Sequence, residues 1–304
     1  MEISIETNNL RKEYPGRVAI DSVSFRVKKG TVHGFLGPNG AGKTTTMKVI
    51  TGLVSATSGD FKINGRVGFL PENPPLYGNM TVNDYLLFVL NIYSNDVSKD
   101  ILEEVKRKCG LTDVGDRLIQ NLSKGFKQRV GIAQALIHSP EIIILDEPTV
   151  GLDPVAIVEI RNLIESLKGS HTILFSSHQL HEVELLCDEI TLVDKGRVLI
   201  SGTLADIQSK LTTKKHFKAN VTKFNSELKR EILNLFPIDS IEERLHENKK
   251  FELDIFANAK FDSEVHTIKL CQYLAQDNIG LVSFTEEKLD LEEIFKRMTK
   301  KGVQ

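Results

Sequence analysis

The sequence predicts an α/β fold with a mainly parallel sheet over residues 1–211 of its 304, followed by a small α+β domain over 212–304. Three observations carry that prediction. Short apolar runs alternate with helical patterns between 142 and 193, as in a sheet covered on both faces. Ile142-Ile-Ile-Leu145 is apolar throughout and β-branched, the composition of a buried parallel strand. A glycine-rich turn, Gly37 to Gly42, separates a strand pattern from a helix pattern.

Taken in order, residues 3–35 alternate apolar and polar, break at Pro15-Gly16 and Lys29-Gly30, and read as strands, the last over 31–36. Two short strands over 60–64 and 66–70 are joined by an Asn64-Gly65 turn, and an antiparallel β subdomain is expected beside the mainly parallel sheet. Residues 42–52 read as the helix after the glycine-rich turn. Past Pro71 the character changes. Thr81 caps an apolar helix to 93, Ser98 caps a charged one to 108 with Gly110 as its stop, and a third runs over 123–138. These form a helical insert over about 74–140. The α/β pattern resumes with strand 142–145, helix 154–167 opened by Pro154, strand 171–176, helix 179–187 and strand 189–193. The last domain reads as strand 216–221, helix 225–236, strands 239–245 and 250–256, helix 262–277, strand 280–285 and helix 289–300. That is the βαββαβ order of a ferredoxin-like fold with one helix added.

Composition narrows the function classes. Hydrophobic residues make up 40% and charged residues 26%, with a net charge of −2. No strong field favours nucleic acid, so no nucleic-acid partner is expected. Cys109, Cys187 and Cys271 are odd in number, far apart and form no CxxC pair, which argues against a disulfide framework or thiolate zinc site. The N-terminus lacks a basic segment followed by an apolar run, so no signal peptide is expected. The most apolar stretch, residues 85–93, falls far short of the ~20 that span a bilayer. A cytoplasmic chain that meets a membrane only through a partner is the expectation.

The strongest chemical signal is Gly37-Pro38-Asn39-Gly40-Ala41-Gly42-Lys43-Thr44, which fits G-x-x-x-x-G-K-[ST]. Glycines at 37, 40 and 42 let successive N–H groups point inward, and the helix start adds positive potential at a phosphate. Lys43 supplies a charge to β- and γ-phosphates, and the Thr44 hydroxyl can coordinate Mg²⁺. Asp146-Glu147 ends the apolar strand, where open α/β sheets bind ligands. Asp146 would hold the Mg²⁺ hydration shell, and Glu147 would act as general base toward the attacking water. His178 ends the next predicted strand beside that edge. Leu122-Ser123-Lys124-Gly125-Phe126-Lys127-Gln128 opens a helix with a second hydroxyl-and-amide anion site. With one phosphate loop per chain, that second site would serve a nucleotide held by another copy.

These segments, with Gly151-Leu152-Asp153, stand in the order and at roughly the spacing found in ATP-binding cassette (ABC) transporter ATPases, which residues 3–205 resemble. The resemblance implies ATP and Mg²⁺ as ligands and a head-to-tail homodimer in which Ser123 and Gly125 close on the partner's nucleotide. It further implies that Tyr14 stacks on adenine, Thr45 contacts the α-phosphate region, Asp153 couples the two sites and His178 is the switch histidine. Two departures stand out. The family's usual LSGGQ is LSKGF here, and its usual Gln after the strand is Glu72, a carboxylate able to face Mg²⁺ or its water. Both variants, with the tail from Leu291 to Phe295, are similar to ATPase subunits of type-2 ABC exporters, which work with an integral membrane permease. The soluble alternative, a repair or translation ATPase, fits less well. Repair types carry a long coiled-coil insert and translation types two cassettes per chain. The C-terminal domain is expected to regulate or stabilise the dimer.

Overall fold

The computed structural model describes residues 2–93, 99–211, 215–245, 250–258, 260–262, 264–276, 278–287, 291 and 294–295. The chain divides into two compact units, one ending at Leu204 and the other beginning at Ala205. Ser98, and most of the tail helix expected over 289–300, lie outside the described residues.

The first unit has two sheets. β1 (Ile3–Tyr14), β2 (Arg17–Lys28) and β4 (Ser58–Ile63) form an antiparallel sheet in the order β2-β1-β4. The second sheet has six strands in the order β5-β6-β7-β3-β8-β9. Its members are β3 (Val32–Leu36), β5 (Val67–Leu70), β6 (Ile142–Asp146), β7 (Thr172–Ser177), β8 (Glu189–Asp194) and β9 (Arg197–Gly202). The first five pair in parallel and β9 closes the edge antiparallel to β8. Every residue of β3, β6 and β7 is buried, as a two-sided cover requires. Phe25, Phe35, Met47, Ile144 and Leu174 share one core between the two sheets and the helix that follows β3. That helix is α1 (Lys43–Ile50).

The insert holds α2 (Val82–Tyr93), α3 (Lys99–Lys108) and α4 (Lys124–Leu136). The Thr81 hydroxyl accepts the Asp84 N–H at 3.1 Å, the cap read from the sequence. α5 (Pro154–Leu167) and α6 (Leu180–Leu186) follow β6 and β7.

Two sequence readings are corrected. Asn64-Gly65 does not close a hairpin. β4 pairs with β1, whereas β5 pairs with β6 in the other sheet. The Asn64 amide still bonds Ile3 O, at 2.7 Å, while one residue past Gly65 the Arg66 N–H already bonds the Glu141 carboxylate, at 2.7 Å. The dipeptide crosses between sheets, and each of the two strands it joins pairs with a strand distant in sequence. The second omission is β9. Lys195 and Gly196, at φ 48° and 76°, form the two-residue turn that pairs Asp194 with Arg197.

The second unit, entered by α7 (Leu204–Leu211), contains β10 (His216–Val221), α8 (Ser226–Leu235), β11 (Ile238–Leu245), β12 (Phe251–Ala257), α9 (Val265–Leu274) and β13 (Leu281–Glu287). Its sheet runs β11-β12-β10-β13, wholly antiparallel. That is the ferredoxin-like arrangement expected from the βαββαβ order. Phe217, Leu253, Ile255, Ile232 and Leu270 fill its own core.

Candidate functional site

A cavity of about 390 Å³ opens at the C-terminal ends of the parallel strands, the edge at which such sheets bind ligands. Asn39, Gly40, Gly42, Lys43, Thr44 and Thr45 line one side, and Glu72, Glu147, Val150 and His178 the other. The loop before α1 has this shape because of its glycines. Gly40 and Gly42 sit at φ 82° and 101°, where a side chain is strained. At Gly37 a Cβ would overlap the Val193 carbonyl, so β8 packs against bare backbone. Ala41 N–H closes a turn onto Pro38 O at 3.1 Å, and Gly196 N–H holds Ala41 O at 2.9 Å.

Lys43 reaches back across its own loop. Its ammonium donates to Gly37 O at 2.7 Å and lies 3.0 Å from Glu147 Oε1. The other oxygen of Glu147 lies 2.7 Å from His178 Nδ1. An ionised carboxylate can only accept, so this bond places the imidazole proton on Nδ1. Glu147 itself sits at φ 50°, uncommon for a residue with a side chain. From this turn its side chain lines the cavity.

Asp146 lies just beneath, 1% exposed. Ser176 donates to its Oδ1 at 2.6 Å, while Oδ2 has no hydrogen-bond partner among the described residues. Burial pushes the Asp146 carboxyl above its ordinary pKa, opposed by the nearby Ser176 and Thr44 hydroxyls. A buried carboxylate oxygen without a donor, beside a second carboxylate and a threonine hydroxyl, is a donor set suited to a hard divalent cation.

The remaining residues singled out by sequence fall elsewhere. Tyr14 is 42% exposed at the end of β1, with the Lys12 ammonium 5.1 Å from its ring centre. It does not line the cavity, but Arg17, its partner across the β1–β2 turn, does. Sequence reasoning missed Arg17 and Ser176. Arg17 was legible only as the residue after Pro15-Gly16, and Ser176 only as a strand-end serine. Ser123 caps α4, accepting the Phe126 N–H at 3.4 Å, and Asp153 caps α5, accepting the Ala156 N–H at 2.9 Å. The two helix starts touch: a Cβ on Gly125 would come within 2.9 Å of the Ala156 Cβ. Ser123, Gly125 and Asp153 do not line this chain's own cavity.

Comparison with known proteins gives a consistent picture. The family described as ABC transporter matches residues 20–150. The chain is 32% identical over 310 residues to the linearmycin resistance ATP-binding protein of Bacillus subtilis, covering 97% of this chain and 98% of that protein. It is 42% identical to the lantibiotic transport ATP-binding protein of Streptococcus pyogenes, over 64% of this chain and 89% of that one. The bacitracin transport ATP-binding protein of Bacillus licheniformis is 41% identical, over 66% of this chain and 69% of that one. A solved ATP-binding subunit of an ABC transporter superposes with a TM-score of 0.61 at 32% identity, over 68% of this chain and 92% of that one.

Proposed function

The chain belongs to the ABC transporter family as an ATP-binding subunit, an ATPase, and from that premise we propose that it powers a membrane exporter by closing head to tail with a second copy. The observation that carries this reading is the split site. Lys43, Glu147 and His178 converge on one cavity, whereas Ser123 and Gly125 lie outside it. A second copy is the natural supplier of the missing anion site.

In this reading the triphosphate lies in the amide nest between Gly37 and Thr45, with Tyr14 and Arg17 toward the base and ribose. Lys43 exchanges Glu147 for the β- and γ-phosphates. Glu147, steadied by His178, orients the attacking water and takes its proton as the bond to the γ-phosphorus forms and the bond from that phosphorus to the β–γ bridging oxygen breaks, so that ADP leaves with the electron pair. Thr44, Asp146 and Glu72 would hold Mg²⁺, which when bound offsets negative charge on the phosphate oxygens. Ser123 and Gly125 of the partner add N-terminal helix charge to the γ-phosphate, and Asp153 beside them links the two sites.

Among the described residues no helix is long and apolar enough to cross a membrane. We therefore assign membrane attachment, at the inner face of the cell membrane, to a permease subunit, as the transporter relatives support. The exposed Tyr77, Phe88, Ile92 and Tyr93 of the insert supply an apolar docking surface for it. The relatives' names support an antibiotic-class cargo, selected by the permease and not by this chain. The same relatives disfavour a soluble repair or translation role. The C-terminal unit we assign to stabilising the dimer, and deleting residues 212–304 tests that assignment through the dimer's dissociation constant.

The decisive experiment measures ATP turnover with Mg²⁺ and the oligomeric state of Glu147→Gln by size-exclusion chromatography. A turnover loss of roughly 10²–10⁴-fold, with an ATP-dependent dimer, is expected. A variant that hydrolyses ATP at the parent rate overturns the general-base assignment. Turnover by a strictly monomeric parent overturns the paired site.

A further inference from the structure

Ser176 does not line the cavity, yet its single hydroxyl ties together both carboxylate residues at the floor. The parallel register of β6 and β7 sets Ser176 beside Asp146, and the side chain is fully buried. Its O–H donates to Asp146 Oδ1 at 2.6 Å and its oxygen accepts the Glu147 N–H at 2.9 Å. A hydroxyl has one proton and two lone pairs, so one side chain fills both roles.

We infer that Ser176 is a positioning residue that fixes which oxygen of Asp146 is presented to the divalent cation and holds Glu147 in its left-handed turn. The inference rests on the assignment of Asp146 to the cation. With Oδ1 occupied by Ser176, the carboxylate cannot rotate freely, and Oδ2 is left buried with no hydrogen-bond partner among the described residues. The bond to the Glu147 N–H gives a buried donor its acceptor at a residue whose φ of 50° is otherwise costly. Alanine at 176 removes both bonds. Asp146 then keeps only the Thr44 hydroxyl beside it, and the Glu147 amide loses its acceptor. Threonine keeps the hydroxyl and suits a strand.

The test reads metal binding directly, by the electron paramagnetic resonance signal of free Mn²⁺ titrated onto the full chain in saturating ATP. Loss of an outer-shell partner of a metal carboxylate typically weakens binding about 10–100-fold, so Ser176→Ala is expected to weaken Mn²⁺ by that factor, keep ATP affinity in EDTA within about twofold, and be rescued by Ser176→Thr. Thermal unfolding checks that each variant folds. The inference is overturned if Ser176→Ala holds Mn²⁺ as the parent does, if its metal-free ATP affinity falls by the same factor, or if a folded Ser176→Thr stays at the alanine level. A parent that takes up no Mn²⁺ with ATP overturns instead the assignment of Asp146 beneath it, and this inference with it.

Discussion

Lys43 Nζ lies 3.0 Å from Glu147 Oε1, with both side chains less than a tenth exposed. The phosphate-binding cation and the base of the proposed mechanism thus neutralise one another. Removing one member of a buried pair strands the other, at a cost of about 3–5 kcal/mol. Lys43→Ala is expected to lower both thermal stability and ATP affinity, read by calorimetry and nucleotide titration. Adding Glu147→Gln to Lys43→Ala is expected to recover most of the stability and none of the affinity. Equal stability of Lys43→Ala and the parent would deny the pair any structural weight.

Gly125 belongs to the half of the proposed composite site that a second copy would supply. Its missing Cβ is 2.9 Å from the Ala156 Cβ, at the meeting of two helix starts. Gly125→Val is expected to push α4 from α5 and abolish ATP-dependent pairing, while leaving ATP binding to the chain's own loop unchanged. Sedimentation with and without ATP, against nucleotide titration, separates the two effects. A variant that pairs normally would show that Gly125 plays no part in closure.

Gly37 tests the loop itself. A methyl there overlaps the Val193 carbonyl, a backbone atom that cannot swing aside. Overpacking of this kind costs typically about 1–3 kcal/mol. Gly37→Ala is therefore expected to lower the unfolding midpoint and to weaken nucleotide binding together, since loop and β8 must part. Loss of stability with intact binding would contradict this.

The acid limb of stability has an identifiable contributor. His33 is fully buried, bonded through Nε2 to the Thr191 hydroxyl at 2.8 Å, and burial, aided by Lys28, brings its pKa down from 6.5 to about 3. The unfolded chain takes up a proton below about pH 6.5 that the folded chain refuses. Stability conferred by neutral His33 is therefore present above that pH and lost as pH falls toward 3, by about 1.4 kcal/mol per pH unit. Urea unfolding between pH 7 and 4.5 should show a shallower decline in His33→Gln than in the parent. Parallel curves would rule His33 out.

The second unit carries a four-strand sheet and its own core. Residues 205–297 expressed alone are expected to unfold cooperatively in circular dichroism. A non-cooperative trace would make the unit dependent on the rest of the chain.

Much of the site was legible because its chemistry is local. The turn from Gly37 to Thr44 demands glycines at fixed offsets, and the Asp146-Glu147 pair follows a run of four apolar residues. The cap roles of Thr81 and Ser123 are likewise written within three residues of each helix start, whereas the cap at Asp153 emerged only in the structure. Partner choice was not legible. Asn64-Gly65 has the composition of a hairpin turn yet joins two sheets, because pairing is decided by backbone far away in sequence, at Asn8 and Ile142.

By itself, then, the sequence determined the phosphate-binding turn, the acidic strand end, the alternation of strands and helices and the βαββαβ order of the last unit. Each depends on backbone conformation or side-chain period over a few residues. Only the tertiary structure decided that Lys43 pairs with Glu147, that Ser176 braces Asp146, that Arg17 reaches the cavity and that Ser123 stays outside it. Those relationships join residues from 22 positions apart to more than a hundred. They are set by strand order and register, which the burial of the whole chain selects.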